Sequence, residues 1–163
     1  MSVPRDVGQL PVCYNRPAPK PHDYIDLEAS PLYPFGYGLS YTTFEYSNLR
    51  IEPRSSQSST LNPVFSISLD VTNTGSFDGE EVVQLYLRDD VASIVQPLMQ
   101  LRDFQRLFVP KGETRTVTMT LTADDFAIVD YQLRHVIEPG TFTVMVGRSS
   151  ADILLKGTIT ITQ

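Results

Sequence analysis

From about residue 41 to its end, the chain alternates apolar and polar residues with a period of two. A strand points successive side chains to opposite faces, so this alternation is the mark of half-buried strands. Phe65, Ile67, Leu69 and Val71 alternate with Ser66, Ser68, Asp70 and Thr72. Val83, Leu85 and Leu87 alternate with Gln84, Tyr86 and Arg88, and Val117, Met119 and Leu121 with Thr116, Thr118, Thr120 and Thr122. Phe142, Val144 and Val146 obey the same rule, as do Ile153, Leu155, Ile159 and Ile161 with Gly157 in phase. β-Branched and aromatic residues dominate these runs, which suits a pleated surface packed on one side.

Turn residues separate the runs. Asn73-Thr74-Gly75, Asp78-Gly79, Pro110-Lys111-Gly112-Glu113 and Glu138-Pro139-Gly140 each combine residues that preset or permit turn dihedrals. Gly140 is expected at positive φ in the turn before its strand. The spacing predicts strands at about 42–52, 64–73, 81–88, 98–108, 114–122, 131–137, 141–147 and 152–162. Phe44 and Tyr46 lie in one phase and Leu49 and Ile51 in the other, so a β-bulge is expected near Ser47-Asn48. Thr122-Ala123-Asp124-Asp125 resembles a capping box and predicts about one helical turn. These features describe an all-β chain: a two-sheet sandwich of immunoglobulin or fibronectin type III kind, with seven or eight strands and an extended N-terminal arm. The absence of Trp and of a second Cys argues against an antibody-type domain, and an eight-stranded barrel is the competing architecture.

Residues 1–40 differ in kind from residues 41–163. They hold seven of the 12 prolines: Pro4, Pro11, Pro17, Pro19, Pro21, Pro31 and Pro34. Proline at that density blocks helix and central strand alike. Tyr14, Tyr24, Tyr33 and Tyr37, with Leu32 and Phe35, make the segment more apolar than a free linker needs to be. It reads as an extended arm that drapes over a surface. Tyr33, Phe35, Tyr37 and Tyr41 place four large rings within nine residues and are the expected interdomain contact. The alternative is that the arm only closes the bottom of this domain's own sandwich.

At 163 residues the chain is long enough for one domain with its own core. Its net charge of −6 argues against nucleic acid and against an anionic membrane surface as partners. No apolar run approaches the roughly 18 residues that span a bilayer. The start, Met1 to Pro11, has no hydrophobic signal core, so the signal of an exported parent would lie upstream.

Catalytic chemistry is hard to place. Hydrolysis by paired carboxylates needs the two facing each other across a substrate, roughly 5–9.5 Å apart. Glu80-Glu81, Asp89-Asp90 and Asp124-Asp125 are adjacent pairs, and adjacent strand residues point to opposite faces, so they read as solvated turn acids. Cys13, His22 and His135 are isolated, without the short ligand spacings of a metal site, and Cys13 reads as a packed thiol. Gly36-Tyr37-Gly38 lacks the third glycine, preceding strand and following helix of a dinucleotide loop. No metal, cofactor or catalytic residue is therefore assigned, and no substrate-binding residue is named. Tyr86, Phe104 and Tyr131 are the aromatic side chains to consider for sugar binding, although core packing explains them equally well.

Several blocks, taken in order, carry a family resemblance. Pro31-Leu32-Tyr33-Pro34-Phe35-Gly36-Tyr37-Gly38-Leu39-Ser40-Tyr41-Thr42 closely resembles a signature near the C-terminus of family 3 glycoside hydrolases, which include β-glucosidases and β-xylosidases. Val71-Thr72-Asn73-Thr74-Gly75, Asp78 to Tyr86, Gln100 to Arg106, Pro110 to Glu113, Glu138 to Phe142 and Val146-Gly147 continue the resemblance. Their order is similar to that of the fibronectin type III-like domain that ends many such enzymes. Pro4 to Pro11 resembles the tail of the preceding α/β domain, and the stretch 16–30 matches least well. The resemblance implies a non-catalytic C-terminal accessory domain that braces the catalytic domains of a β-glycosidase. Both catalytic carboxylates of the family lie upstream of anything matched here, so the resemblance carries over no catalytic residue. It implies the parent's catalytic domains as partner. A sugar- or polymer-binding module and a self-associating domain, pairing through the aromatic arm or a sandwich edge, are the alternatives.

Overall fold

The structure is a computed structural model that describes residues 1–9, 12–17, 26–54 and 62–162. His22 and Tyr24 lie outside the described residues. Strands begin at β1 (Phe44–Pro53) and continue with β2 (Phe65–Asn73), β3 (Gly79–Asp89), β4 (Gln100–Val109) and β5 (Thr114–Leu121). The one-turn helix α1 (Ala123–Phe126) follows, then the short β6 (Ile128–Val129) and β7 (His135–Val136), then β8 (Gly140–Ser149) and β9 (Asp152–Ile161). A three-stranded sheet in the order β1-β2-β5 faces a four-stranded sheet in the order β4-β3-β8-β9, with all pairings antiparallel. Two separate sheets make this a sandwich of fibronectin type III-like kind and not a closed barrel.

The alternating residues meet between the sheets. Ile67, Leu69 and Val71 of β2 and Val83, Leu85 and Leu87 of β3 pack with Val117, Val144, Val146, Ile159 and Ile161 in one buried cluster. α1 plugs one end of it. Thr122 donates its backbone N–H to the Asp125 carboxylate at 2.7 Å, the expected capping exchange. That turn drives Phe126 between Phe65 and Phe142, with ring centroids at 5.7 and 5.1 Å. At the other end, buried Asn73 satisfies its whole amide. Its Oδ1 accepts from Thr42 Oγ1 and the Gly75 N–H, and its Nδ2 donates to the carbonyls of Phe77 and Val109. The expected bulge in β1 is present: the register with β2 shifts between Ser47 and Arg50, and Asn48 takes φ 54°.

Three local expectations fail for identifiable reasons. Residues 131–137 do not form one strand. The Asp130 carboxylate accepts from the backbone N–H groups of Gln132 and Arg134 and from the Arg134 guanidinium, which rolls 130–134 into a turn between β6 and β7. Leu133 sits there at φ 62°. Gly140 is not at positive φ; it is the first residue of β8, and in the sandwich turns it is Gly112 that takes positive φ, at 74°. Cys13 is exposed, not packed, because the segment carrying it lies on the outside of the sandwich.

Candidate functional site: the arm and the outer face of the four-stranded sheet

The two outer faces of the sandwich have opposite chemistry. On the three-stranded sheet, Ser66, Ser68, Asp70 and Thr72 pair across β5 with Thr120, Thr118, Thr116 and Thr114. Asp70 accepts from Asn48, Arg50 and Thr116, and these hydrogen bonds hold its carboxyl down at about 2. Every group in that row is a hydrogen-bonding one that water also satisfies.

The outward row of the four-stranded sheet is Glu80, Val82, Gln84 and Tyr86 on β3, opposite Phe108, Arg106, Phe104 and Leu101 on β4. Tyr86 has no exposed surface at all, although its phase points it away from the core. The arm covers it. Tyr14 meets Tyr86 edge-on at 6.1 Å and stacks on Phe35 at 4.1 Å with 17° between the rings. The Tyr86 hydroxyl donates to Gln84 Oε1 at 2.6 Å, and Gln84 Nε2 donates to the carbonyls of Gly36 and Arg148. Burial holds the Tyr86 phenol in its protonated form. Backbone bonds pin the arm at further points: Ser150 N–H to Phe35 O, Leu98 N–H to Arg16 O, and Val3 N–H to Tyr33 O, each at 2.9 Å. Gly36 makes this docking possible. It takes φ 79°, and a Cβ there would strike the Gln84 amide.

The four rings named from the sequence part company. Phe35 is half-buried in the Tyr14 stack. Tyr33 and Tyr37 lie against each other at 5.0 Å, each leaving nearly half its surface in solvent. Tyr41 is 98% exposed and makes no ring contact among the described residues. Leu39 is also bare. Between this stretch of the arm and the β3–β4 face runs an open groove of about 640 Å³, walled by Tyr37, Leu39, Val82, Leu101 and Phe104.

The acidic pairs serve the fold. Glu80 forms an exposed ion pair with Arg106, while Glu81 is buried between the sheets and accepts from the Tyr46 hydroxyl at 3.0 Å. Burial raises the Glu81 carboxyl above its ordinary value, against the pull of that bond and of Arg148. Asp90 accepts from Thr143, and Asp125 caps α1. The reading of these acids as solvated turn residues is thus wrong for Glu81, and the phase it shares with Val83, Leu85 and Leu87 was the signal. His135 stands exposed on β7, and among the described residues no three His, Cys, Asp or Glu side chains gather where they could hold a metal ion. Of the sugar-binding candidates, Tyr86 is covered, Tyr131 stands out on the β6–β7 turn and Phe104 on β4, so the three do not share one open face.

Residues 81–150 match the family described as fibronectin type III-like domain. The chain is 45% identical to a β-xylosidase of Formosa agariphila over 99% of its own length and 22% of that protein. It is 38% identical to a periplasmic β-glucosidase of Salmonella typhimurium, over 94% of this chain and 21% of that one. Among solved structures, the β-glucosidase from Listeria innocua in complex with glucose superposes with a TM-score of 0.87 at 34% identity, covering 100% of this chain and 24% of that chain. The chain therefore spans about a fifth of the length of the curated relatives it matches.

Proposed function

We propose that this chain, with its fibronectin type III-like domain and its similarity to part of β-xylosidases and β-glucosidases, serves as a non-catalytic accessory domain bracing the catalytic body of such a β-glycosidase. The observation that carries this reading is the split in the arm. One side of it, through Tyr14, Phe35 and Gly36, is fastened to its own sheet. The other side leaves Tyr33, Tyr37, Leu39 and Tyr41 in water, next to a backbone held by hydrogen bonds at Tyr33, Phe35 and Tyr37. Burying one such ring is worth roughly 1.5–3 kcal/mol, so a row of them is a ready-made joint. A covalently attached body would need little affinity to occupy it, because tethering supplies an effective concentration on the order of millimolar. Glu80 and Glu81 both line the groove, but Glu80 is paired with Arg106 and buried Glu81 accepts from the Tyr46 hydroxyl, which supports placing the chemistry in the rest of the parent.

The reading is tested with the isolated chain on aryl β-glucosides and aryl β-xylosides. No turnover above buffer is expected. Turnover that disappears on changing one Asp or Glu of this chain would refute it. The joint is tested in the Formosa β-xylosidase with its matching region exchanged for this chain. There, Tyr37→Ser with Tyr41→Ser should shorten the thermal half-life while leaving the isolated chain's melting point in place.

A further inference from the structure

We infer that the open half of the four-stranded sheet's outer face, built on Val82, Phe104 and Phe108, is a second docking surface for the same catalytic body. This rests on the accessory-domain reading and extends it from the arm to the sheet. The register sets Phe104 opposite Gln84, Arg106 opposite Val82 and Phe108 opposite Glu80, so all six share one face. Phe104 is 62% and Phe108 55% exposed, on an edge strand where water would favour polar residues. Glu80 and Arg106 pair with each other on this face, so neither offers a free charge to a partner.

Two observations say what covers it. First, the face continues without a break into one that protein already covers. Toward Tyr86 the arm lies on it, and toward Phe108 none of the described residues does. The groove between the two parts has the bare side of the arm, Tyr37 and Leu39, as its other wall. An occupant of the joint therefore meets Phe104 as well. Second, the relatives that match this chain from end to end carry about four-fifths of their length outside the match. That body is the partner already tethered to this face. A sugar polymer fits less well, because Arg106 stands between Phe104 and Phe108 and the two rings form no continuous stacking platform.

The experiment is hydrogen–deuterium exchange on the isolated chain and on the Formosa β-xylosidase carrying this chain in place of its own matching region. Fusion should slow exchange in residues 100–109 as well as in 33–42. Phe104→Ser with Phe108→Ser should leave the isolated chain's melting point unchanged and shorten the fused enzyme's thermal half-life by roughly fivefold or more, since one ring's burial is worth at least that factor. Protection of 33–42 without 100–109 would overturn this inference and leave the accessory reading standing. Protection of neither would sink both. Protection of 100–109 in the isolated chain that rises with its concentration would assign the face to a second copy of the chain. Protection that appears on adding xylo- or cello-oligosaccharide would assign it to sugar. Either of those last results would also overturn the inference.

Discussion

The two outer faces of this sandwich are built from the same kind of alternating strand, yet one is finished for water and the other is not. On the three-stranded sheet, the outward positions of β2 and β5 are Ser, Thr and Asp throughout, and they bond to one another. On the four-stranded sheet, the outward positions include Val82, Tyr86, Phe104, Phe108 and Met145, of which Tyr86 and Met145 are buried. The same alternation thus reports only that one side of a strand faces the core. What the other side faces is told by its chemistry, and here the apolar outward row is covered by the arm at Tyr86 and open at Val82, Phe104 and Phe108.

The comparison breaks most sharply at Tyr86. If the arm is part of the fold, Tyr86→Ala should destabilise the isolated chain by about 3–5 kcal/mol in urea melts, as for a buried core ring. A cost of less than about 1 kcal/mol, typical of a surface site, would mean the arm is loosely held. Gly36→Ala should cost about 1–3 kcal/mol, because it combines a left-handed φ with a collision against Gln84. Faster exchange across 33–38 with the strands still protected is the expected signature, separating arm release from unfolding.

A carboxylate on the water face of the three-stranded sheet and one buried between the sheets should pull stability in opposite directions with pH. Asp70, on the water face, is lowered from 3.8 to about 2. Its contribution is present above the unfolded value and is lost as pH falls toward 2. Asp70→Asn should flatten melting curves in that acid window. Glu81, between the sheets, is raised above 4.5 by burial. The fold therefore binds its proton more tightly than the unfolded chain, and stability is lost as pH rises through the raised value. Glu81→Gln should remove that loss and be neutral or stabilising near neutral pH, where Tyr46 can still donate to the amide oxygen. A strongly destabilised Gln variant would show that the attraction of Arg148 outweighs burial. The smallest effect is expected on the open half: Phe104→Ser in the isolated chain should shift stability by no more than about 0.5 kcal/mol.

Much of this was legible in advance, for local reasons. The strands of both main sheets, the bulge at Ser47-Asn48 and the capped turn at Thr122 follow from periodicity and short-range hydrogen bonding. Residues 131–137 were misread because Val136 and Ile137 look strand-like, while one carboxylate, Asp130, satisfies enough backbone groups to bend the chain back. Gly140 was misread because Pro-Gly suggests a turn, although a glycine can equally open a strand. Glu81 was misread as a surface acid although its phase placed it inside. The cover over Tyr86 had no local signal. It depends on contacts between Tyr14, Phe35 and Gln84 that lie far apart in the chain, and no periodicity encodes a partner at that separation.

The central question is whether this chain holds a catalytic body together. The thermal inactivation half-life of the Formosa β-xylosidase should be measured without its matching region and then with this chain joined in its place. The shortened enzyme should inactivate at least several-fold faster, and this chain should restore the half-life with no activity of its own. Equal half-lives in the two forms would contradict this.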